Sequence, residues 1–319
     1  MSPALQRRLP LISTAGIWLI LFATGGFLYD YFASLTTITN ILYSQAFLGI
    51  AAIGMTLVIF SGGIDLSVGA VIGFTSILMA TLVQNRGWHP GAAAVVVLLI
   101  GAAFGGAMGS LIHFFRLPPF LITLAGMFLA RGAAFWVSTE KIGIAHPLYG
   151  KLSTLRVPLV GDNSLAFVAV VFLTVFAVGY VIAHYTRFGR NLLAIGGSEQ
   201  SALLMGLPVA GTKIAAYVVC SVCAVVAGIT QTLGSPTGDG AAGKGLELDA
   251  IAIVVIGGTL LTGGRGHMLG TLLGLLIYGT IQTAIDFNNL NAATVRIVIG
   301  VLLLAFILLQ RALARPARQ

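Results

Sequence analysis

Residues able to do chemistry are sparse in this chain and are not arranged for it. The five histidines, His89, His113, His146, His184 and His267, scatter over different connections and share no spacing that a metal would recognise. Cys220 and Cys223 form a C-x-x-C, the spacing of a redox dithiol or half a zinc site. They lie inside an apolar run with no partner ligands near them, so packing between helices is the better reading. The segment G-D-G-A-A-G-K-G, Gly238–Gly245, imitates a phosphate-binding loop. It ends in glycine where such a loop needs Ser or Thr to hold magnesium, and no strand precedes it. It reads instead as a flexible outer loop. Neither a catalytic residue, nor a metal site, nor a bound cofactor is therefore expected in this chain.

The elements around these residues explain the scarcity. The 319 residues are 58% hydrophobic and only 8% charged, against about 25% charged in a soluble domain. Such a surface must meet lipid. Nothing in a bilayer core satisfies backbone N–H and C=O groups, so only helices or closed barrels span it. The apolar runs are too long for barrel strands, and the 41 glycines suit closely packed membrane helices. We therefore expect an all-α integral membrane protein of about ten transmembrane helices, a single domain over 1–319. The expected spans are 11–30, 42–60, 68–84, 91–112, 119–137, 165–184, 213–233, 248–261, 269–285 and 295–313. The eighth is short for a bilayer and must be tilted, broken or sheltered. The run from Leu11 to Leu28 is read as a retained first helix, since no convincing cleavage site follows it.

The net charge of +8 follows membrane orientation rather than a nucleic-acid partner. With the N-terminus in the cytoplasm, ten of the seventeen Lys and Arg residues fall inside, six fall outside, and Arg131 lies within the fifth span. Both termini are then cytoplasmic. Most acids fall on the other side, leaving Asp65 and Glu199 inside.

Two stretches share a template. Ser61–Gly73 reads S-G-G-I-D-L-S-V-G-A-V-I-G, and Thr262–Gly274 reads T-G-G-R-G-H-M-L-G-T-L-L-G. Gly62, Gly63, Gly69 and Gly73 align without a gap on Gly263, Gly264, Gly270 and Gly274. The two glycine-rich breaks should lie on the same membrane side. Paired broken segments point to a transport pathway, so Ser61, Gly62, Gly63, Asp65, Ser67, Gly263 and Gly264 are candidate gate or pathway residues. The plainer alternative is a pair of tight turns with glycines at positive φ. Asp65 near the membrane boundary could cap a helix beginning near Ser67, line an entrance, or do both.

The loop 185–212 after the sixth span contains E-x-x-A-x-x-x-G, formed by Glu199, Ala202 and Gly206. Ser198 can cap a short helix there and Gly206 can end it. Leu203, Leu204 and Met205 give that helix an apolar face that needs a protein partner or the membrane surface.

At this point the chain resembles the permease subunits of bacterial monosaccharide ABC importers of the ribose type. The resemblance covers nearly its whole length. It rests on G-M-T-L-V-I-F-S-G-G-I-D-L-S-V-G (54–69), R-F-G-R-N…A-I-G-G (187–197) and E-L-D-A-I-A-I-V-V-I-G-G-T-L-L-T-G-G (247–264). It implies an inner-membrane subunit whose short cytoplasmic helix couples to a separate ATPase that binds ATP and magnesium. That role would fall on Ser198, Glu199, Ala202, Leu203, Met205 and Gly206. E-Q-S at Glu199–Ser201 replaces the family's E-A-A. It further implies a second permease chain (a paralogous sister or an identical copy) and a periplasmic sugar-binding protein. Within the family, 118–132 and 137–149 are similar to one permease of the galactofuranose importer; ribose or another pentose or hexose is the alternative.

A sugar path needs weak, sparse hydrogen bonds. Candidates on the spans are Asn40, Gln45, Thr56, Thr123 and Gln282, each of which could instead bond between helices. Arg131, the one deep charge, is expected to snorkel outward or pair with an outer acid in a structural role. An ion-gradient-driven transporter is the competing reading, but it would want carboxylates near mid-bilayer, whereas the acids here stand near span ends.

Overall fold

A computed structural model describes residues 3–159, 163–287, 293, 297–301, 303–305 and 308. The chain opens with α1 (Pro3–Leu28), α2 (Leu35–Ser44) and α3 (Ala46–Phe60). Next come α4 (Val68–Ala80), which runs into a π turn at Thr81–Asn85, then α5 (Pro90–Phe114) and α6 (Pro119–Val137). One connection carries β1 (Ile142–Gly143), α7 (Pro147–Thr154), β2 (Arg156–Pro158) and β3 (Ser164–Ala166). It leads to α8 (Phe167–Tyr185), α9 (Arg187–Gly197), α10 (Glu199–Leu204) and α11 (Val209–Gly234). The described regular elements end with β4 (Thr237–Gly238), α12 (Leu246–Ile256) and α13 (Met268–Phe287). The four strands form two short antiparallel ribbons, β1 with β4 and β2 with β3.

Seven of these helices are long and apolar enough to cross a membrane, and α2 with α3, bent by 66°, makes an eighth if counted as one span. Among the described residues the count is thus seven or eight, against the expected ten. The predicted span 248–261 is α12, whose eleven residues rise only about 16 Å, half a bilayer core. The predicted span 295–313 lies largely outside the described residues. The shortness expected of 248–261 is borne out, and α12 is largely buried by its neighbours.

The core is α3. A-F-L-G-I-A-A-I-G-M-T-L-V-I-F is apolar on every side, which suits a helix with no lipid face, and all of it except Phe47 is buried. Close approach comes from glycine at the crossings. Gly101, Gly105 and Gly109 recur every fourth residue along α5, and a Cβ on Gly105 would stand 2.8 Å from the Ser221 Cβ of α11. Cys220 and Cys223 are free and buried; both pack on Gly54 of α3. A fully buried Thr56–Thr271 pair, 2.7 Å between hydroxyls, ties α3 to α13. Thr56→Val keeps the shape and removes one hydroxyl, so it should cost about 1 kcal/mol. A lowered thermal midpoint with unchanged solute KM is the expected result; a raised KM would put Thr56 on the path.

Candidate functional site

The template glycines are brought together by the fold. Gly62, Gly263 and Gly264 all have φ near +80°, which L side chains avoid. The two turns touch: the Gly264 N–H donates to the Phe60 carbonyl at 3.1 Å, and a Cβ on Gly263 would lie 2.7 Å from the Gly62 Cα. Both turns lead into helices that begin within one template position of each other, α4 at Val68 and α13 at Met268. The two breaks therefore lie side by side in the fold.

The end of α9 closes the junction. A Cβ on Gly196 would press into the Phe60 carbonyl and stand 2.5 Å from the Gly264 nitrogen. The helix just before the predicted coupling segment is thus wedged where the two turns meet. Gly196 was not singled out in the sequence, because G-G at 196–197 reads locally as an ordinary helix end. Its partners lie more than sixty residues away on either side.

α10 follows directly. The Ser198 hydroxyl accepts from the Ser201 N–H at 3.2 Å, Ala202 is buried against Ile195 and Val209, and Gly206 turns the chain with φ +73°. Glu199 is joined to Lys213 of α11 at 3.0 Å. Leu203, Leu204 and Met205 stay 56%, 84% and 66% exposed. Their apolar ends therefore project from the bundle beside groups that are capped and ion-paired.

Asp65 departs from its expected place near a membrane boundary. It has no exposed surface, and it lies close enough to Cys220 of α11 for the two side chains to act on each other electrostatically. Cys220 is the twelfth of the 26 residues of α11, so Asp65 sits near mid-bundle. The turn after α3 climbs back into the protein, and α4 begins there. Asp65 Oδ1 accepts from the Ser67 N–H at 2.9 Å and the Ser67 hydroxyl at 2.6 Å. Asp65 thereby organises the start of α4, with Ser67 as its N-terminal boundary residue. Oδ2, like the hydroxyl of Tyr217, has no hydrogen-bond partner among the described residues.

The five candidate path residues stand in different settings. Asn40 is exposed. Gln45 Nε2 donates to the Ser44 hydroxyl at 3.5 Å and its stem packs by Gly279 of α13, while Gln282 bonds Asp286 on its own helix at 3.3 Å. Thr56 and Thr123 are fully buried. Thr123 donates to the Pro119 carbonyl at 2.9 Å and lies 3.3 Å from that of Ile64.

Three corrections concern charge and histidine. Segment 238–245 is not a loose outer loop. Its residues lie along α4, where a Cβ on Gly73 would come 2.5 Å from the Ala242 carbonyl, and the segment descends to Gly69 in the first turn of that helix. Arg131 forms no ion pair within salt-bridge range among the described residues; Nη1 donates to the Gly240 and Ala242 carbonyls at 2.8 and 2.6 Å. The scattered histidines are partly regrouped, with His184 and His267 stacked at 4.0 Å. They accept from the Met268 and Leu269 N–H groups at 3.1 Å each, capping α13. Among the described residues, no group of three His, Cys, Asp or Glu side chains is placed to hold a metal.

Buried short helices, paired turns meeting mid-protein, and an apolar knob outside the bundle describe a multi-pass transport subunit. Residues 37–307 match the family described as branched-chain amino acid transport system / permease component, and the chain belongs to that family. It is 47% identical over 315 residues to the inner membrane ABC transporter permease protein YjfF of Escherichia coli (strain K12), covering 97% of this chain and 94% of that one. It is 37% identical to the fructose import permease protein FruG of Bifidobacterium longum (strain NCC 2705), covering 96% and 92%. It is 35% identical to the ribose import permease protein RbsC of Escherichia coli (strain K12), covering 91% and 90%. No solved structure matches. Despite the family's amino-acid description, these relatives place the chain among the sugar ABC importer permeases of the ribose type, multi-pass proteins of the inner membrane that are transport subunits and not enzymes.

Proposed function

We propose that this chain forms half of the translocation pathway of an ATP-driven monosaccharide importer, with galactofuranose as the sugar. The observation that carries the coupling is α10. Ser198 caps it and Glu199 is ion-paired to Lys213, yet Leu203, Leu204 and Met205 remain exposed outside the bundle. An apolar surface of that kind marks a docking face, here for a protein partner. A separate ATPase, binding ATP and magnesium, docks there through Ser198–Gly206. Movement passes through α9 to the junction at Gly62, Gly196, Gly263 and Gly264. A second permease chain completes the pore, and a periplasmic sugar-binding protein delivers the solute. The excess of Lys and Arg in the loops assigned inside supports cytoplasmic termini. The sugar rests on the resemblance of 118–132 and 137–149; the fructose and ribose relatives supply the alternatives.

Co-purification with the cognate ATPase and sister permease tests this reading. Leu204→Asp combined with Met205→Asp is expected to reduce ATPase recovery at least tenfold while leaving the thermal midpoint of the permease unchanged. Unaltered recovery, or sugar uptake by the permease alone on an ion gradient, would remove the ABC reading.

A further inference from the structure

α5 and α6 meet at one crossing and part beyond it. At the crossing a Cβ on Gly126 would stand 2.5 Å from Met108 Sδ and 3.2 Å from the Phe104 ring. From there α5 packs chiefly on α11 and α6 on α4. A cavity of about 160 Å³ opens between the parted helices. Ile100 and Phe104 line it from α5, Leu129 and Ala133 from α6, and Val71 and Phe74 from α4. α4 is buried except at Phe74 and Leu78, so the cavity reaches the inner helix at a place where that helix keeps open surface.

The mouth lies on the outer face of the bundle, where Ile100 is 41% and Leu129 66% exposed. Ile100 is the eleventh of the 25 residues of α5 and Leu129 the eleventh of the nineteen of α6. Both helices are long and apolar enough to cross a membrane, so the mouth stands near mid-span. The medium at that depth is hydrocarbon, without water. Every side chain lining the cavity is apolar, and an engineered apolar cavity of about 150 Å³ stays dry yet takes benzene. A whole helix, about 10–12 Å across, is too thick for such a slot, and close helix seams are built from small residues, not from a Leu and an Ile at the rim.

We propose that the slot between α5 and α6 is a binding site for one acyl chain of a membrane lipid, which enters between Ile100 and Leu129 and reaches Phe74. The chain supplies the contacts that the two parted helices do not give each other. No charged side chain lines the slot, so it selects hydrocarbon and not a headgroup. The site requires only the membrane setting and stands apart from the importer reading.

The test reconstitutes the full chain in phosphatidylcholine nanodiscs containing a small fraction of phosphatidylcholine with a diazirine at mid-chain. After irradiation, adducts are mapped by mass spectrometry. Expected is an adduct on Phe74, at least fivefold weaker when the diazirine sits beside the headgroup. Ala133→Phe fills the slot and should lower the Phe74 yield at least fivefold, leaving that of the 65% exposed Phe128 unchanged. Leu129→Trp at the mouth is the second blocking variant should Ala133→Phe fail to fold, with the thermal midpoint as the check. The Phe74 adduct should persist when the chain is assembled with its partner subunits. Absence of the adduct in the native chain, or a yield indifferent to the folded blocking variants, would overturn the site. Loss of the adduct only on assembly would give the slot to a protein side chain and overturn it equally.

Discussion

Gly196→Ala is expected to cripple the protein, while Gly197→Ala one residue later should be silent. A methyl group at 196 enters the space between the Phe60 carbonyl and the Gly264 nitrogen, the two partners of the hydrogen bond joining the turns. Those atoms are backbone and cannot swing away as a side-chain tip could. Overpacking of that kind costs about 1–3 kcal/mol, and the strain falls on the contact between the coupling region and both turns. At 197 a Cβ has open space, with no heavy atom within 4 Å. Gly197 also ends α9 without a left-handed φ, so alanine there is tolerated and raises helix propensity. The checks are the thermal midpoint and sugar-stimulated ATPase activity of the assembled transporter. Gly196→Ala should lower the midpoint by several degrees and reduce stimulation more than tenfold. Equal behaviour of the two variants would mean that close packing at the junction is not needed for coupling.

Asp65→Ala should be nearly as damaging, and Asp65→Asn much less so. Removing the carboxyl strands the Ser67 N–H and hydroxyl in a site without solvent, at about 1–3 kcal/mol for each lost acceptor interaction. The start of α4 would loosen, and with it the groove at Gly69 and Gly73. Asparagine keeps an acceptor oxygen in the same place. It also carries no charge, and Asp65 has no cationic partner in either described salt bridge, so a neutral amide suits the dry site. Thermal unfolding of the native protein and the two variants separates the cases. If Asp65→Asn proved as unstable as Asp65→Ala, an ionised carboxylate would be needed there.

The two substitutions concern opposite ends of the same turn, one at its contact with α9 and one at its entry to α4. Changing Gly196 leaves the interior of α4 untouched, and changing Asp65 leaves α9 untouched. Comparing transport at matched stability would therefore tell whether the turn acts as a unit.

Some of this was legible in the chain itself. A charged fraction of 8% determined the membrane environment and hence a helical fold. Ser61–Gly73 and Thr262–Gly274 announced their kinship through glycine spacing, since backbone that must turn or touch backbone tolerates no side chain. Ser198, Ala202 and Gly206 were readable as one short capped helix because caps and turns are local. What lay beyond reach was everything set by distant contact. Hydropathy showed that α12 is short but not what shelters it, because that shelter is built by α3 and α13 from distant parts of the chain. It placed Asp65 at a boundary, because the climb of the turn back to Cys220 leaves no mark in local sequence. Arg131 and Glu247 are 116 positions apart, yet both side chains reach α4, at Gly73 and Gly69 respectively. Local propensity and partition into lipid are properties of short segments, and sequence alone carries them. Which buried polar atoms meet, and which are left without partners, depends on helix packing, and only the tertiary structure decides it.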